Sequence, residues 1–297
     1  MKKSAKSKPA ALEIQQIQHD AGQKDSMDGI MIFDSAVYSL NNIPNRPFRS
    51  RHYSLILVHH GQMTVKVNLT SYSLTEKTLL LIQPSAIREM NWNTEDVHFS
   101  SLLFLPDFLA ASGLHARSFS QLSFLKNETI TSLQLEAGQY TITNHTLELI
   151  RLILLQESLQ NIHKQEMVRP VFQSAILQIN QLFGKQPSVQ TNNNIVHRFF
   201  DLLTHHYKEQ REVSFYAEKL QIHEKYLSQV LKEQTGETAR TYIIQMVILE
   251  AKVLLDVATL TVSQIAEDLR FSNQFHFSRF FKQYTSTTPT QYRNSRY

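Results

Sequence analysis

The chain has 297 residues, 42% hydrophobic and 19% charged, proportions typical of a globular protein with about two domains. It contains no cysteine, which excludes disulfide bonds, cysteine-based zinc sites and thiol catalysis. The net charge of +4 does not identify a nucleic-acid-binding protein, because residues 191–297 carry 13 basic and 11 acidic side chains. No apolar run reaches the roughly 18 residues of a membrane span. The basic start lacks the apolar core of a signal peptide. We expect a cytoplasmic protein, not associated with membranes, with a flexible basic tail over residues 1–27.

Residues 28–140 have the pattern of an all-β domain, with short apolar or alternating runs between polar turns. The run Met63–Leu69 alternates cleanly and should place Met63, Val65, Val67 and Leu69 on one face. A sandwich or barrel is predicted. The expected strands are Met31–Tyr38, Tyr53–Val58, Met63–Leu69, Leu79–Ile82, Val97–Phe104 and Ile130–Leu135.

Residues 141–184 change to helical spacing. Thr143-Asn144 can cap a first helix, and a second helix ends at Gly184, with Pro170 near its first turn or at a kink. We expect both helices to pack on the β domain and part of their apolar surface to pair with a second subunit. An intramolecular core alone is the alternative. The polar residues 185–194 are predicted to be an interdomain linker.

Residues 195–297 are predicted to be helical and contain an internal repeat. Its second helices, with the tight turns before them, are typical of two helix-turn-helix modules, in which the second helix enters the major groove of DNA. A connecting helix from Thr238 to about Val257, roughly 30 Å long, could place both second helices in successive grooves. The repeated positions are Ala217, Leu220 and Ile222 with Ala266, Leu269 and Phe271, and then Leu227, Ser228, Leu231, Lys232, Thr238 and Tyr242 with Phe277, Ser278, Phe281, Lys282, Thr288 and Tyr292.

The repeat resembles the C-terminal DNA-binding domain of the AraC/XylS family of bacterial transcription regulators. The resemblance covers about Ile195 to Arg293 and implies an α+β multidomain protein. In such a protein, an N-terminal cupin-like sandwich or barrel with a two-helix dimerisation segment precedes an all-α double helix-turn-helix domain. The positions that carry the resemblance are Tyr226-Leu227-Ser228, Lys232, Thr235-Gly236, Ile265-Ala266, Phe271, Phe277-Ser278-Arg279, Phe281-Lys282, Thr288-Pro289 and Tyr292-Arg293.

Several positions depart from the family pattern. Arg270 and Ser286 stand where the family usually has glycine, which should strain turns that want a positive φ. Gln229 and Val247 stand where arginines are common, and Phe275 replaces the usual serine. The first module should therefore read DNA weakly, or read adenine through Gln229.

Helix geometry and the resemblance together predict one set of DNA-facing residues. Arg279 is the best candidate for direct readout, because a guanidinium can bond guanine O6 and N7 together. Phe275 could contact a thymine methyl group, and Lys232 and Lys282 should meet phosphates, with a solvated charge as the alternative. The predicted set is Lys225, Ser228, Gln229 and Lys232 in the first module and Gln274, Phe275, Ser278, Arg279 and Lys282 in the second.

The resemblance implies a double-stranded DNA operator, a homodimer, a small effector in the β domain, and RNA polymerase as a partner if the protein activates. A ligand-free dimer scaffold and a cupin enzyme fused to a DNA-binding domain are the alternatives. The enzyme would need a metal held by a His-x-His motif, which is absent; His59 and His60 are adjacent and should point to opposite faces of a strand. We therefore expect no catalytic residue, metal or cofactor.

A cluster of basic residues at Arg46, Arg49, Arg51 and His52 could hold an anionic effector. A solvated run of charge before a strand is the other interpretation. The ligand-binding residues are not predicted.

Overall fold

A computed structural model describes residues 26–40, 43, 46–84, 86–92, 96–113, 122, 131–156, 161–184 and 195–295. The predicted linker and all but the last two residues of the predicted tail lie outside these ranges. The chain divides into two compact units, one with all the strands described below and the other with everything from Ile195 onward.

The first unit contains two antiparallel sheets. The six-stranded sheet has the order β1-β2-β9-β4-β7-β10, and the four-stranded sheet has the order β3-β8-β5-β6. The strands are β1 (Ser26–Met27), β2 (Ile30–Asp34), β3 (Phe48–Arg49), β4 (Tyr53–His60), β5 (Met63–Val67), β6 (Thr70–Leu74), β7 (Thr78–Ile82), β8 (Ile87–Trp92), β9 (His98–Phe104) and β10 (Thr131–Gln134).

Alternation in β5 follows the predicted pattern as far as Val67. Met63, Val65 and Val67 are buried, because a strand places every second side chain on one face. The strand then stops, since Asn68 has a φ of 53° and reverses the chain into β6. The expectation for Leu69 was wrong, because it lies in this turn and not on the strand. The first predicted strand is also too long, since β2 ends at Asp34.

The six-stranded sheet is buried on both faces. On one face Ile56 and Leu80 share a core with Val65 of the four-stranded sheet. On the other face Leu55 and Leu79 share a core with the two helices that follow the sheets. All five residues of β7 are therefore buried, as expected for a strand in the middle of three layers.

The two helices that cover the six-stranded sheet are longer than predicted. A short helix, α1 (Pro106–Ala110), precedes them; α2 spans Ala137–Leu155 and α3 spans Asn161–Gly184. Helix α2 begins after Glu136, which forms a capping box with Gln139, and the predicted cap residue Thr143 is buried inside the helix. Pro170 lies in the interior of α3 and not in its first turn. Helix α3 runs to Gly184, the last described residue before position 195, so the expected end there stays a prediction.

His59 and His60 have different surroundings. His59 Nδ1 and Nε2 lie 3.0 Å from the hydroxyls of Tyr140 and Ser100, and burial, together with His98, lowers the pKa of His59 to about 4. His60 is exposed and 2.9 Å from Asp96. Among the described residues, no cluster of histidine, aspartate and glutamate could hold a metal ion.

The second unit is entirely helical in its described part. None of the described helices of the chain is long and apolar enough to cross a membrane. The helices of this unit are α4 (Ile195–His206), α5 (Val213–Leu220), α6 (Glu224–Thr235), α7 (Ala239–Leu255), α8 (Val262–Asp268), α9 (Gln274–Thr285) and α10 (Pro289–Asn294).

Candidate nucleic-acid interface

The second unit contains two helix-turn-helix modules, α5 with α6 and α8 with α9. A left-handed residue lies in each turn, Gln221 with a φ of 59° and Arg270 with a φ of 57°. A second one ends each long helix, Gly236 with a φ of 87° and Ser286 with a φ of 63°. The two modules therefore have the same backbone turns, and the second builds both from side chains that lack the freedom of glycine.

The second helix of each module buries one face at equivalent positions. Leu227 and Leu231 of α6 are fully buried, as are Phe277 and Phe281 of α9, fifty positions later. Phe280, which precedes Phe281 on α9, is half-buried and lies against the ring of Phe271. Burial of this face fixes which side of each helix points to solvent.

Eight of the predicted DNA-facing residues form four equivalent pairs on the opposite face. The two serines are half-buried, and the other six residues are exposed. Phe275 is 74% exposed, which is unusual for a large apolar side chain. Gln274, the ninth residue, is exposed at the first position of α9. The pairs are Lys225 with Phe275, Ser228 with Ser278, Gln229 with Arg279, and Lys232 with Lys282.

Asn273 positions the start of α9. Its side chain accepts hydrogen bonds from the backbone N–H groups of Phe275 and His276, at 3.0 and 2.9 Å. An asparagine at this position satisfies two donors that the first turn would otherwise leave unpaired. The corresponding residue of α6, His223, makes no side-chain cap.

The connecting helix α7 has 17 residues and is therefore about 25 Å long, shorter than predicted. Thr238 caps its start by accepting a hydrogen bond from the backbone N–H of Thr241. Arg293 closes its far end, donating from Nε to the Leu255 carbonyl at 3.0 Å and from a terminal nitrogen to the Leu260 carbonyl at 2.7 Å. A cation at this end also complements the helix dipole.

Contacts of the second module with the segment between α4 and α5 were not predicted from the sequence. Lys208, after α4, lies 2.9 Å from the fully buried carboxylate of Glu250 in α7 and 2.7 Å from Asp268 at the end of α8. Burial alone would lower the pKa of Lys208, but the two carboxylates outweigh it and raise the pKa. The ion pairs connect the segment before the first module to the connecting helix and to the second module.

Arg211, in the same segment between α4 and α5, makes a further contact with the second module. Its guanidinium lies 3.8 Å from the centre of the Phe271 ring and donates to the Leu269 carbonyl, in the turn between α8 and α9. An arginine held over an aromatic ring is worth about 0.5–2 kcal/mol, depending on how far it is desolvated. Arg211 therefore fixes the second turn from the side of the first module.

Comparison with known proteins assigns this unit. A family model described as a helix-turn-helix domain matches residues 216–295. The C-terminal unit is an AraC-type helix-turn-helix domain. With this AraC-type domain, the chain is a DNA-binding transcription regulator.

Relatives of the chain include RhaS of Escherichia coli, an HTH-type transcriptional activator, which is 21% identical over 264 residues. The match covers 86% of this chain and 90% of RhaS. YobQ of Bacillus subtilis, an uncharacterized HTH-type regulator, is 34% identical over 92 residues, covering 31% of this chain and 38% of YobQ. A solved structure of Vibrio cholerae ToxT with an unsaturated fatty acid bound matches 90% of this chain and 95% of that one, with 13% identity and a TM-score of 0.40.

Proposed function

We propose that α6 and α9 enter successive major grooves on one face of an operator, with α7 as the connector. The observation that carries this proposal is the exposure of the same helix face in both modules, at positions fifty residues apart. Two recognition helices on one rigid connector read more base pairs than one, at no further cost in association entropy.

The DNA-facing residues have different proposed roles. Arg279 bonds a guanine edge, Phe275 contacts a thymine methyl group, and Gln274 bonds an adjacent base. Lys225, Lys232 and Lys282 meet phosphates, which position the protein without reading sequence. In the first module Gln229 is the base reader. Its Nε2 donates to Glu233 at 2.8 Å, which leaves the second N–H and Oε1 of the amide for a base.

Selection from genomic DNA tests this function. The full-length protein is mixed with sheared DNA of its source organism at moderate salt, and the retained fragments are sequenced. We expect a shared motif with two half-sites about 10 base pairs apart. The matched control is Arg279→Glu, which reverses the charge at the main reader and should retain no motif. Absence of enrichment with the unaltered protein would overturn the proposal.

The first unit is proposed to be a cupin-like regulatory domain that responds to a small effector and pairs two chains. An apolar stripe at heptad spacing supports the pairing. Ile142, Leu149 and Leu152 on α2 are 55%, 47% and 51% exposed, and Met167 and Leu177 on α3 are each 47% exposed. Large exposed apolar residues in one stripe are typical of an interface.

Light scattering on the purified protein tests the pairing. The double variant Leu149→Lys with Leu177→Lys should convert a dimer to a monomer, whereas Ser71→Lys, at an exposed polar position of β6 away from both helices, should leave the dimer intact. A monomeric unaltered protein at micromolar concentration would contradict the proposal.

The rest of the proposed biology follows from action on DNA. The protein works in the cytoplasm, and as an activator it would contact RNA polymerase. It needs no cofactor and is proposed not to be an enzyme, since its relatives are named as transcription regulators.

A further inference from the structure

A cavity lies between the two sheets of the first unit. Its volume is about 60 Å³, several times the space that one water molecule needs. Its walls come from both sheets and are mainly apolar, with Phe33, Met90 and Phe99 among them. The polar lining is confined to a few side chains, of which Arg88 is the only charged one among the described residues.

Arg88 is buried inside this unit, with 2% of its surface exposed. Strand β8 places it on the same face as Met90, and the centre of the Phe48 ring on β3 lies 6.0 Å from its guanidinium carbon. One terminal nitrogen donates to Ser54 Oγ at 2.5 Å and the other to the Gln83 carbonyl at 3.1 Å. Both acceptors are neutral.

The guanidinium is not satisfied by these two bonds. Its Nε has no hydrogen-bond partner in the described part of the chain, and no described carboxylate pairs with it. Burial lowers the pKa of Arg88 to about 9, so the side chain is still charged at neutral pH. A buried charge without a counter-charge is costly, and native proteins rarely keep one without use.

We propose that this cavity binds a small organic monocarboxylate, with its carboxylate on the Arg88 guanidinium and its apolar part against the aromatic and methionine side chains between the sheets. This inference rests on the proposed effector control of the regulator for its biological role, and on the geometry of the cavity for the site itself. Serine hydroxyls at Ser54 and Ser101 line the same cavity and can donate to the second carboxylate oxygen.

Charge balance favours a monocarboxylate over a phosphate. One guanidinium offsets one negative charge, whereas a phosphate dianion would leave a net charge in an apolar cavity. The planar fork of arginine also matches the two oxygens of a carboxylate. The basic cluster predicted from the sequence contacts the cavity only indirectly in the described part of the chain. Ser50 lines the cavity, and its Oγ lies 2.7 Å from His52 Nδ1 of the cluster, while Arg51 is exposed.

Binding of acids and their amides to the full-length protein tests the site. Butyrate and benzoate are titrated at neutral pH, by calorimetry and by heat unfolding, against butyramide and benzamide as uncharged matches. We expect at least one acid to bind in the millimolar range or tighter and to raise the unfolding midpoint, with no response to its amide. Arg88→Met should weaken binding about tenfold or more. The control Lys66→Met removes an exposed cation of β5 and should leave binding unchanged.

A second measurement holds even if Arg88→Met does not fold. In protein with nitrogen-labelled arginine, the Nε–H signal that disappears in Arg88→Lys belongs to Arg88, and it should shift with the acid and not with the amide. Equal binding of acid and amide, undiminished binding to a folded Arg88→Met, or no binding by either acid would overturn the proposal.

DNA binding on the same samples separates this inference from the proposed function. If the unaltered protein enriches an operator but binds neither acid, only the carboxylate site fails. If it binds the acid but enriches no operator, the proposed DNA-reading function fails and the site stands.

Discussion

Helix α6 of the first module carries Glu224 and Glu233 beside its two lysines, so its side-chain charge sums to zero. Helix α9 of the second module has glutamines at the equivalent positions, Gln274 and Gln283, and keeps Arg279 and Lys282, a sum of +2. The two helices share their burial pattern and their turns, so this difference is confined to the exposed face. Because phosphate neutralisation supplies most of the affinity for DNA, the second module should dominate binding.

The modules also differ in how their turns are held. The second has arginine and serine at its two left-handed positions, while the first has glutamine and glycine. The second compensates with contacts from outside, since Arg211 lies on Phe271 and Lys208 pairs with Asp268. The module that we predict to be the stronger DNA reader is therefore the one whose backbone depends more on contacts from outside it, made by residues before α5.

The largest expected effect comes from removing Lys208, whose ion pairs connect the second module to the rest of the C-terminal unit. Lys208→Met leaves Glu250 fully buried without its lysine, which should lower the free energy of unfolding of the C-terminal unit by about 3–5 kcal/mol. Urea unfolding followed by circular dichroism measures it. The double variant Lys208→Met with Glu250→Leu should recover most of the loss. Equal free energies of unfolding for Lys208→Met and the exposed control Lys219→Met would show that the ion pair does not stabilise this unit.

Arg279→Ala comes next and addresses base reading in the two modules. We expect it to cost about 1–3 kcal/mol of operator affinity and to relax specificity at one base pair, measured by gel shift against operator variants. Gln229→Ala, the equivalent change in the first module, should cost less. Lys282→Ala is the phosphate control and should weaken binding to all sequences alike, with a salt dependence shallower by about one ion. Undiminished operator binding by Arg279→Ala would remove Arg279 from the reading set.

Neutralising the acids of α6 should bring the first module closer to the second. Glu224→Gln with Glu233→Gln should strengthen binding to any DNA by about 1 kcal/mol at low salt, because two like charges near phosphate are removed. The gain should shrink as salt is added, since exposed charges are screened. Fluorescence anisotropy with random-sequence DNA measures both. Tighter binding to the operator alone would mean that the glutamines read bases.

The smallest expected effect comes from exchanging the left-handed residues that end α6 and α9, Gly236 and Ser286. Ser286→Gly should stabilise the protein by about 0.5–1 kcal/mol. Glycine adopts the left-handed conformation without steric strain, and the greater backbone freedom that it gives the unfolded chain offsets part of this gain. Gly236→Ser should destabilise by a similar amount, and no atom lies within 4 Å of the added Cβ, so the effect is one of backbone strain. Effects of equal sign would contradict this explanation.

Local pattern was enough to predict the helical unit and much of the sheet. The repeat placed each member of the DNA-facing set on its helix, and burial of Leu227 and Phe277 fixed the exposed side. Four of the described strands were missed. β1 and β3 have only two residues each, Thr70–Leu74 is largely polar, and Ile87–Trp92 contains an arginine that only the tertiary fold shows to be buried. Contacts such as Arg211 with Phe271 join residues sixty positions apart, and no local periodicity reports them.

The six-stranded sheet also sets the distance over which an effector would have to act. On β4, Ile56 lines the cavity while its chain neighbours Leu55 and Leu57 pack in the core shared with α2 and α3. Successive side chains of a strand point to opposite faces, so the ligand-facing surface and the helix-facing surface are separated by one backbone layer. A displacement of β4 by a bound molecule would therefore reach the helices through a single peptide plane, without a relay of side chains.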